Sequence, residues 1–364
     1  MSAAAWSFAA GPARLPDAVL ARARDELFAR GTDGACVFER PFSADAFRAT
    51  LAHARTRLAE LLVLPANYRI LFMAGGAMQH FSLLPMNLLG PTRRAAYADS
   101  GYWSRRAVDE GWKQAAVSVV AQPPAGAPAA PEILPGAGWP IPADAAYCHI
   151  TPNETADGVA YAALPDTGAV PLVADCTSSF LAAPLDVARF GLIYAGAQKN
   201  IGPAGLSVVV VREDLLERAS PDLPAPFSYA VQAAQDSCVN TPPTAAIHVA
   251  GLVFDWIADA GGLAAMAAAN RAKAARLYAA IDGSDGFYTA PVRRDCRSTV
   301  NVRFHLADSV QDAVFLAEAE RHGLFHLRGH PRLGGLRASL YNAMPMAGVD
   351  ALTGFMADFM LRRG

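Results

Sequence analysis

Two ionisable side chains, Asp175 and Lys199, follow short apolar segments near the middle of this 364-residue chain. Asp175 comes directly after the apolar run 171–174, and Lys199 follows a second run, 192–195, within the segment GAQKN. Runs that are apolar at every position are typical of strands that a sheet buries on both faces. Open α/β sheets bind ligands at the carboxyl ends of such strands. We therefore expect the carboxylate and the amine to share one site at that edge.

This pair of groups suits one cofactor in particular. Pyridoxal phosphate (PLP) needs a carboxylate on its pyridinium nitrogen and a lysine that forms a Schiff base with its aldehyde. An ordinary buried strand followed by a solvated lysine would place the same two residue types in the sequence. The pair alone therefore leaves both interpretations open, and the residues around Lys199 must distinguish them.

Three further segments are candidates for the same edge. Gly75 and Gly76 lie at a predicted strand-to-helix turn, where backbone N–H groups can bind a phosphate, although a tight turn without a ligand needs the same glycines. Trp103 follows a predicted strand and could stack on a flat cofactor ring or fill a gap between layers. Thr155 follows another predicted strand and could bind a cofactor oxygen or cap its turn.

Strand and helix patterns alternate around these residues. The predicted strands are 68–73, 95–98, 146–150, 171–174, 192–195 and 206–211, and the predicted helices are 16–29, 44–61, 81–89 and 245–258. Such alternation predicts a doubly wound α/β domain with a mainly parallel sheet. The Pro-, Ala- and Gly-rich segment 121–146 is predicted to be an irregular surface connection within that domain.

A second, smaller domain is predicted after Gly261 and Gly262. A long Ala-rich helix, 263–281, begins there, and an α+β pattern follows, with strands at 299–304 and 336–341 and helices at 310–322 and 348–362. We predict a large domain over residues 16–262 and a small α+β domain built from residues 1–15 and 263–364.

Composition and charge limit the class of protein. The chain is 53% hydrophobic and its net charge is −2, which argues against nucleic acid or an anionic membrane as the main partner. Its five cysteines are scattered without metal-ligand spacing, which argues against disulfides and zinc. Neither a secretory signal nor a membrane-spanning segment is predicted. We expect a cytoplasmic globular protein.

Five segments together resemble a known family. The most specific is 194–205, YAGAQKNIGPAG, and the others are 11–13, 152–155, 240–244 and 337–345. In these segments the chain resembles the phosphoserine aminotransferases, which are class-V, fold-type I, PLP-dependent aminotransferases. The resemblance extends over nearly the whole chain, and it favours the cofactor interpretation of Asp175 and Lys199.

The resemblance implies a role for individual residues at the cofactor. Lys199 would form the Schiff base, and Asp175 would bind the pyridinium nitrogen. The other implied contacts are Trp103 stacked on the ring, Thr155 at the phenolic oxygen, Gln198 with the backbone of Ala77 and Met78 at the phosphate, and Asn240 and Thr241 at the phosphate of the neighbouring subunit's cofactor. A homodimer with composite sites is part of this expectation.

The resemblance also implies the substrates. Arg337 would bind the substrate α-carboxylate through a bidentate contact, and His330 would lie on the substrate side. L-Glutamate would donate its amino group, and the acceptor would be a 2-oxo acid, which in this family is 3-phosphohydroxypyruvate on the route to serine. The freed lysine would move the proton as a general acid–base.

The chain departs from the family pattern where the distal end of the substrate is bound. A His-Arg pair of the family is replaced by Phe42 and Ser43, and an arginine near the C-terminus is replaced by Pro331. Arg40 and Arg332 lie close in sequence and could replace the missing guanidinium groups. An alternative function therefore stays open: a paralogue that transaminates a different, for example unphosphorylated, 2-oxo acid.

Two other functional classes are compatible with the same fold. A PLP lyase or desulfurase would need a reactive cysteine on a mobile loop, whereas Cys148 and Cys176 lie at the ends of predicted strands beside the cofactor motifs. A protein that binds PLP without catalysis would have no need for Lys199, Asp175 and Arg337 together. Both classes are less well supported by the sequence than an aminotransferase.

Overall fold

The computed structural model describes residues 5–123 and 138–363, and in these ranges the chain forms strands and helices in alternation. The strands are β1 (Trp6–Ser7), β2 (Tyr68–Ala74), β3 (Arg94–Ala98), β4 (Ala116–Ala121), β5 (Cys148–Ile150), β6 (Asn153–Glu154), β7 (Val159–Ala160), β8 (Leu172–Asp175), β9 (Leu192–Gly196), β10 (Leu206–Arg212), β11 (Tyr288–Thr289), β12 (Asn301–Leu306), β13 (Leu324–Phe325) and β14 (Leu336–Ser339). The helices are α1 (Asp17–Leu27), α2 (Asp45–Leu62), α3 (His80–Leu88), α4 (Tyr102–Gly111), α5 (Glu213–Leu216), α6 (Tyr229–Ala234), α7 (Thr244–Asp259), α8 (Gly262–Asp282), α9 (Asp312–Arg321) and α10 (Met346–Arg363).

Seven strands form the central sheet, in the order β2-β10-β9-β8-β5-β3-β4. β10 runs antiparallel to both of its neighbours, and the other pairs are parallel. The prediction of a mainly parallel α/β sheet is confirmed. Because β8 and β9 are parallel neighbours, their carboxyl ends lie side by side, with Asp175 opposite Tyr194.

Helices cover both faces of this sheet because the central strands are apolar on both. Side chains alternate along a strand: Val208 and Val210 of β10 lie in the core with α1, α2 and α7, whereas Val209 and Val211 lie in the core with α3 and α4. The first core also contains the apolar face of α2, which has the helical spacing of Phe47, Leu51, Ala54 and Leu58.

A second, antiparallel sheet, β11-β12-β14, has its own core with α8, α9 and α10. Phe8 from the N-terminal segment is buried in that core, and β1 pairs with β13. In this sheet Arg303 of β12 lies opposite Arg337 of β14. The predicted domain boundaries at residues 16 and 262 stay a prediction, and residues 124–137 of the predicted connection 121–146 lie outside the described residues.

Among the described residues, no single helix is long and apolar enough to cross a membrane. α7 and α8 satisfy that test of length and composition only as a pair, and they are bent by 82° relative to each other. Nine residues of α7 are buried inside the protein, as expected of a core helix. The cytoplasmic location predicted from the sequence stays a prediction.

Candidate active site

A cavity of about 180 Å³ lies at the carboxyl ends of β5, β8 and β9. Seven of the residues to which the sequence assigned a cofactor role line it: Ala77, Met78, Trp103, Thr155, Asp175, Gln198 and Lys199. They come from five separate segments, and the parallel arrangement of the strands brings those segments to one place. The structure thus supplies one common location for these residues, while their individual roles stay predictions.

Asp175 and Lys199 are both buried in this cavity, with exposed fractions of 6% and 9%. Burial raises the pKa of Asp175. Two influences act against that rise: hydrogen bonds from Thr177, whose N–H donates at 2.9 Å, and the positive charge of Lys199. Burial lowers the pKa of Lys199 to about 8, the Asp175 carboxylate raises it and the Arg337 guanidinium lowers it further. A substantial fraction of Lys199 is therefore a neutral amine near neutral pH, as a nucleophile or a general base requires.

The Lys199 amine is held between two other predicted site residues. Nζ donates a hydrogen bond to Thr155 Oγ1 at 2.5 Å and lies 5.9 Å from the centroid of the Trp103 ring. The N-terminal loop closes over the base of the lysine, because Ala13 N–H donates to the carbonyl of Gln198 at 2.8 Å. Gly11 has a φ of +141°, and a Cβ there would lie 3.3 Å from Lys199 Cγ, so the close approach favours glycine.

Arg337 lies beside the cavity, on β14 of the second sheet. Its Nη1 donates to the backbone carbonyl of Thr155 at 3.3 Å, and burial lowers its pKa. The Nε of Arg337 is buried and has no hydrogen-bond partner among the described residues. A buried donor without a partner is costly, so this guanidinium is suited to an anionic ligand such as a carboxylate.

His330 and Arg303 lie near Arg337 on the same side. The His330 ring packs against Tyr102 with 4.2 Å between centroids and a tilt of 47°, and burial lowers the pKa of His330. Arg303 is 3% exposed, lies opposite Arg337 in the sheet register and donates through Nη2 to the carbonyl of Leu333 at 2.8 Å. Sequence reasoning missed Arg303, although an arginine inside the strand pattern NVRFHL was a usable signal.

Phe42 and Ser43 do not line the cavity of their own chain. Phe42 is partly buried against the large core, and Ser43 is exposed. Arg40 is bound elsewhere, since its Nε lies 3.3 Å from Asp33 Oδ2 and its Nη2 donates to a backbone carbonyl. Arg332 is exposed in the loop after His330. Arg40 is thus bound outside the cavity, and the suggestion that Arg40 or Arg332 replaces the missing guanidinium groups stays a prediction.

Asn240 and Thr241 are exposed and lie away from the cavity of their own chain. Asn240 instead borders a separate cavity of about 360 Å³, together with Met86 and Phe227. Both apolar side chains are more than 40% exposed. This location leaves the predicted contact with a neighbouring subunit's cofactor as a prediction.

The cysteines near the cavity are unsuited to nucleophilic chemistry. Cys148 is fully buried and Cys176 is 2% exposed. Burial raises the pKa of Cys148 to about 12 and raises the pKa of Cys176 as well. Since the thiolate is the reactive form, neither residue supports the lyase or desulfurase alternative.

Sequence reasoning also missed two buried carboxyl groups beside Trp103. Glu154 and Asp157 are 0% and 6% exposed, and both accept hydrogen bonds from the first residues of α4. Burial raises the pKa of both groups, and for Glu154 the neighbouring Asp157 carboxylate adds to that rise. Their positions depend on contacts between residues about fifty apart, which no local pattern reveals.

Comparison with known proteins identifies the family. The family model for class-V aminotransferases matches residues 5–352. A phosphoserine aminotransferase of Azotobacter vinelandii is 48% identical over 365 residues, which cover 100% of both chains. The solved structure of a phosphoserine aminotransferase from Bacillus circulans subsp. alkalophilus superimposes with a TM-score of 0.96 at 40% identity and covers 99% of each chain.

A second solved structure is of a PLP-bound phosphoserine aminotransferase from Trichomonas vaginalis, with a TM-score of 0.91 and 38% identity. It covers 97% of this chain and 100% of its own. The fold predicted from the sequence, that of the fold-type I PLP-dependent transferases, agrees with these structures along the whole chain. The chain belongs to the class-V aminotransferase family.

Proposed function

We propose that this chain is a PLP-dependent aminotransferase that moves an amino group between L-glutamate and 3-phosphohydroxypyruvate. The observation that carries the proposal is the joint burial of Asp175 and Lys199 in one cavity beside the Trp103 ring. Relatives of the same length that bear the name phosphoserine aminotransferase support the choice of substrate.

The residues of the cavity fit PLP as a ligand. Thr151 is 2% exposed and lines the cavity, and its Oγ1 has no hydrogen-bond partner among the described residues. An oxygen-bearing ligand would relieve that cost. Asp175 is suited to a pyridinium nitrogen, Lys199 to an aldehyde, and Trp103 to the face of a ring. When bound, PLP would supply an electron sink for the carbanion formed at the substrate Cα.

Each residue then has a task in the reaction. The Asp175 carboxylate would keep a proton on the ring nitrogen, because a negative charge favours the protonated form. Lys199 Nζ would take the proton from the substrate Cα and deliver it to the C4′ carbon of the cofactor, and its lowered pKa makes both steps accessible near neutral pH. Thr155 Oγ1 would hold Nζ in place, and the Arg337 guanidinium would bind the α-carboxylate so that the Cα–H bond faces the amine.

A first experiment tests the amino-group transfer itself. Purified protein loaded with PLP is expected to show the absorbance band of the bound cofactor, and L-glutamate is expected to bleach it. A bleached enzyme should then recover the band when an acceptor is added. Absence of bleaching with any amino donor would contradict the aminotransferase assignment and leave a non-catalytic PLP binder.

The acceptor is tested by the second half-reaction. The glutamate-treated enzyme is offered 3-phosphohydroxypyruvate and, in parallel, unphosphorylated 2-oxo acids of the same chain length. The proposal expects the phosphorylated acid to restore the band fastest. A faster reaction with the unphosphorylated acid would favour the paralogue alternative, for which Phe42, Ser43 and Pro331 are the sequence signal.

We further propose that the active enzyme is a homodimer in which Asn240 and Thr241 complete the neighbour's phosphate site. Both residues are exposed. Met86 and Phe227, which border the same cavity as Asn240, are apolar and 41% and 47% exposed. Exposed apolar side chains around a polar motif are typical of a protein interface. Sedimentation of the PLP-loaded protein is expected to give twice the chain mass, and a fully active monomer would refute the proposal.

A further inference from the structure

The helix that carries Trp103 is held at its N-terminus by two carboxyl groups from a distant segment. The first N–H groups of an α-helix have no partner within the helix. In α4 the N–H of Tyr102 donates to Asp157 Oδ2 at 2.8 Å, and the N–H groups of Trp103 and Ser104 donate to the two oxygens of Glu154 at 2.9 Å each. A helix cap usually comes from the preceding residue. Here that residue is Gly101, which has no side chain.

The glycine is required by the close approach of the two acids. A Cβ on Gly101 would lie 2.6 Å from Asp157 Oδ2 and 2.9 Å from Glu154 Cδ. Both distances are shorter than van der Waals contact, so any side chain at this position would push the carboxyl groups away from the helix. The residue before α4 thus supplies no side-chain cap, and the two acids occupy the space that such a side chain would fill.

The acids also belong to the turn that contacts the Lys199 amine. Thr155 lies between Glu154 and Asp157; its Oγ1 accepts from Lys199 Nζ and its carbonyl accepts from Arg337. One turn therefore joins the start of α4, the lysine and the substrate-side arginine.

We propose that Glu154 and Asp157 are positioning residues that hold the start of α4 and so fix Trp103 relative to the Lys199 amine. The proposal rests on the function proposed above for Lys199. Both carboxyl groups are buried, so the hydrogen bonds that they accept from α4 are shielded from competing water. Loss of one Glu154 oxygen should therefore loosen the helix start and displace the Trp103 ring beside Lys199.

The test compares Glu154→Gln with a matched control, Glu110→Gln. Glu110 lies on the same helix and pairs with the exposed Lys113, at 2.8 Å, away from the cavity. Two quantities are measured without PLP or substrate: hydrogen exchange of the Trp103 and Ser104 amides, and the pH dependence of acylation of Lys199. A wild-type protein that fails to transaminate would refute the proposed function and leave both measurements interpretable.

In Glu154→Gln we expect the two amides to exchange at least about tenfold faster. A glutamine side chain has one oxygen that can accept a hydrogen bond, whereas the carboxylate has two, one for each N–H group. The midpoint of Lys199 acylation should move to higher pH, because a displaced Trp103 ring, 5.9 Å from Nζ in the wild type, would admit water to an amine whose pKa burial lowers. In the PLP-loaded enzyme kcat should fall more than KM changes. Glu110→Gln should alter none of these.

Two further variants keep the proposal open to refutation if Glu154→Gln does not fold. Asp157→Asn should accelerate exchange at Tyr102, and Gly101→Ala should accelerate exchange at all three amides by displacing both acids. Unchanged exchange together with an unchanged Lys199 midpoint in the folded variants would overturn the proposal. Faster exchange with an unchanged midpoint and unchanged kcat would also overturn it, because the carboxyl groups would then be a structural cap only.

Discussion

Lys199 should be the most reactive lysine of the chain, and this can be measured without the cofactor. The sequence contains three lysines, Lys113, Lys199 and Lys273. Burial lowers the pKa of Lys199 to about 8. At pH 7.5 about a quarter of such an amine is neutral, against roughly 0.1% for a lysine with an ordinary pKa near 10.5. We therefore expect a free-amine advantage of about 200-fold over an ordinary lysine.

Lys273 provides an internal comparison. It is 2% exposed, and burial lowers its pKa to about 7. Its Nζ nevertheless donates to the carbonyls of Leu340, Tyr341 and Met344 at 3.0, 2.8 and 2.9 Å. An amine surrounded by three acceptors on a buried helix has no accessible lone pair, so it should react slowly in spite of its lowered pKa.

The assay treats the apoprotein with a limiting amount of a small acylating reagent and quantifies each labelled lysine by peptide mass spectrometry between pH 6 and 10. Label should appear first at Lys199, with a midpoint near pH 8. Asp175→Asn should move that midpoint down, because its carboxylate raises the lysine pKa. Borohydride reduction of the PLP-loaded protein should attach the cofactor to the same residue. Preferential labelling of Lys113 or Lys273 would refute the reasoning.

Two further predictions concern the neighbour's residues and the substrate end. The first mixes two inactive proteins: the double variant Asn240→Ala, Thr241→Ala and the single variant Lys199→Ala. The mixture should recover a fraction of the activity, because one site of each heterodimer keeps all wild-type groups. No recovery after confirmed subunit exchange would contradict composite sites. The second combines Phe42→His with Ser43→Arg, which should raise the preference for the phosphorylated acceptor, measured as a ratio of kcat/KM values, by about 10- to 100-fold. The reason is that a hydrogen bond to a charged group contributes roughly 1.5–3 kcal/mol. An unchanged ratio would show that these side chains do not reach the substrate.

The sheet and the cavity were predictable where the sequence pattern is local. β8, β9 and β10 were found because almost every residue in them is buried, which forces a continuous apolar run. β4 was missed, because it lies at the sheet edge and most of its residues are only partly buried. The ends of α2 were predicted within one residue, since its apolar spacing is regular.

The contacts that complete the site were not predictable in the same way. Glu154 and Asp157 act on residues that are distant in sequence, and an isolated acid has no characteristic pattern. The locations of Phe42, Ser43 and Asn240 outside their own chain's cavity could likewise not be derived from a single sequence. Local patterns therefore predict the site residues that follow strands. The folded structure is needed to identify the residues that hold those site residues in position.

The two halves of the candidate site belong to different sheets. Asp175 and Lys199 follow strands of the parallel sheet, whereas Arg337 and Arg303 belong to the antiparallel one. If Arg337 binds the substrate as proposed, substitutions on β12 and β14 would change which acid is bound while the groups for the cofactor stay in place. This separation provides a route by which gene duplicates can diverge in substrate and keep a common catalytic chemistry, and the altered residues of this chain all lie outside the parallel sheet's contribution to the cavity.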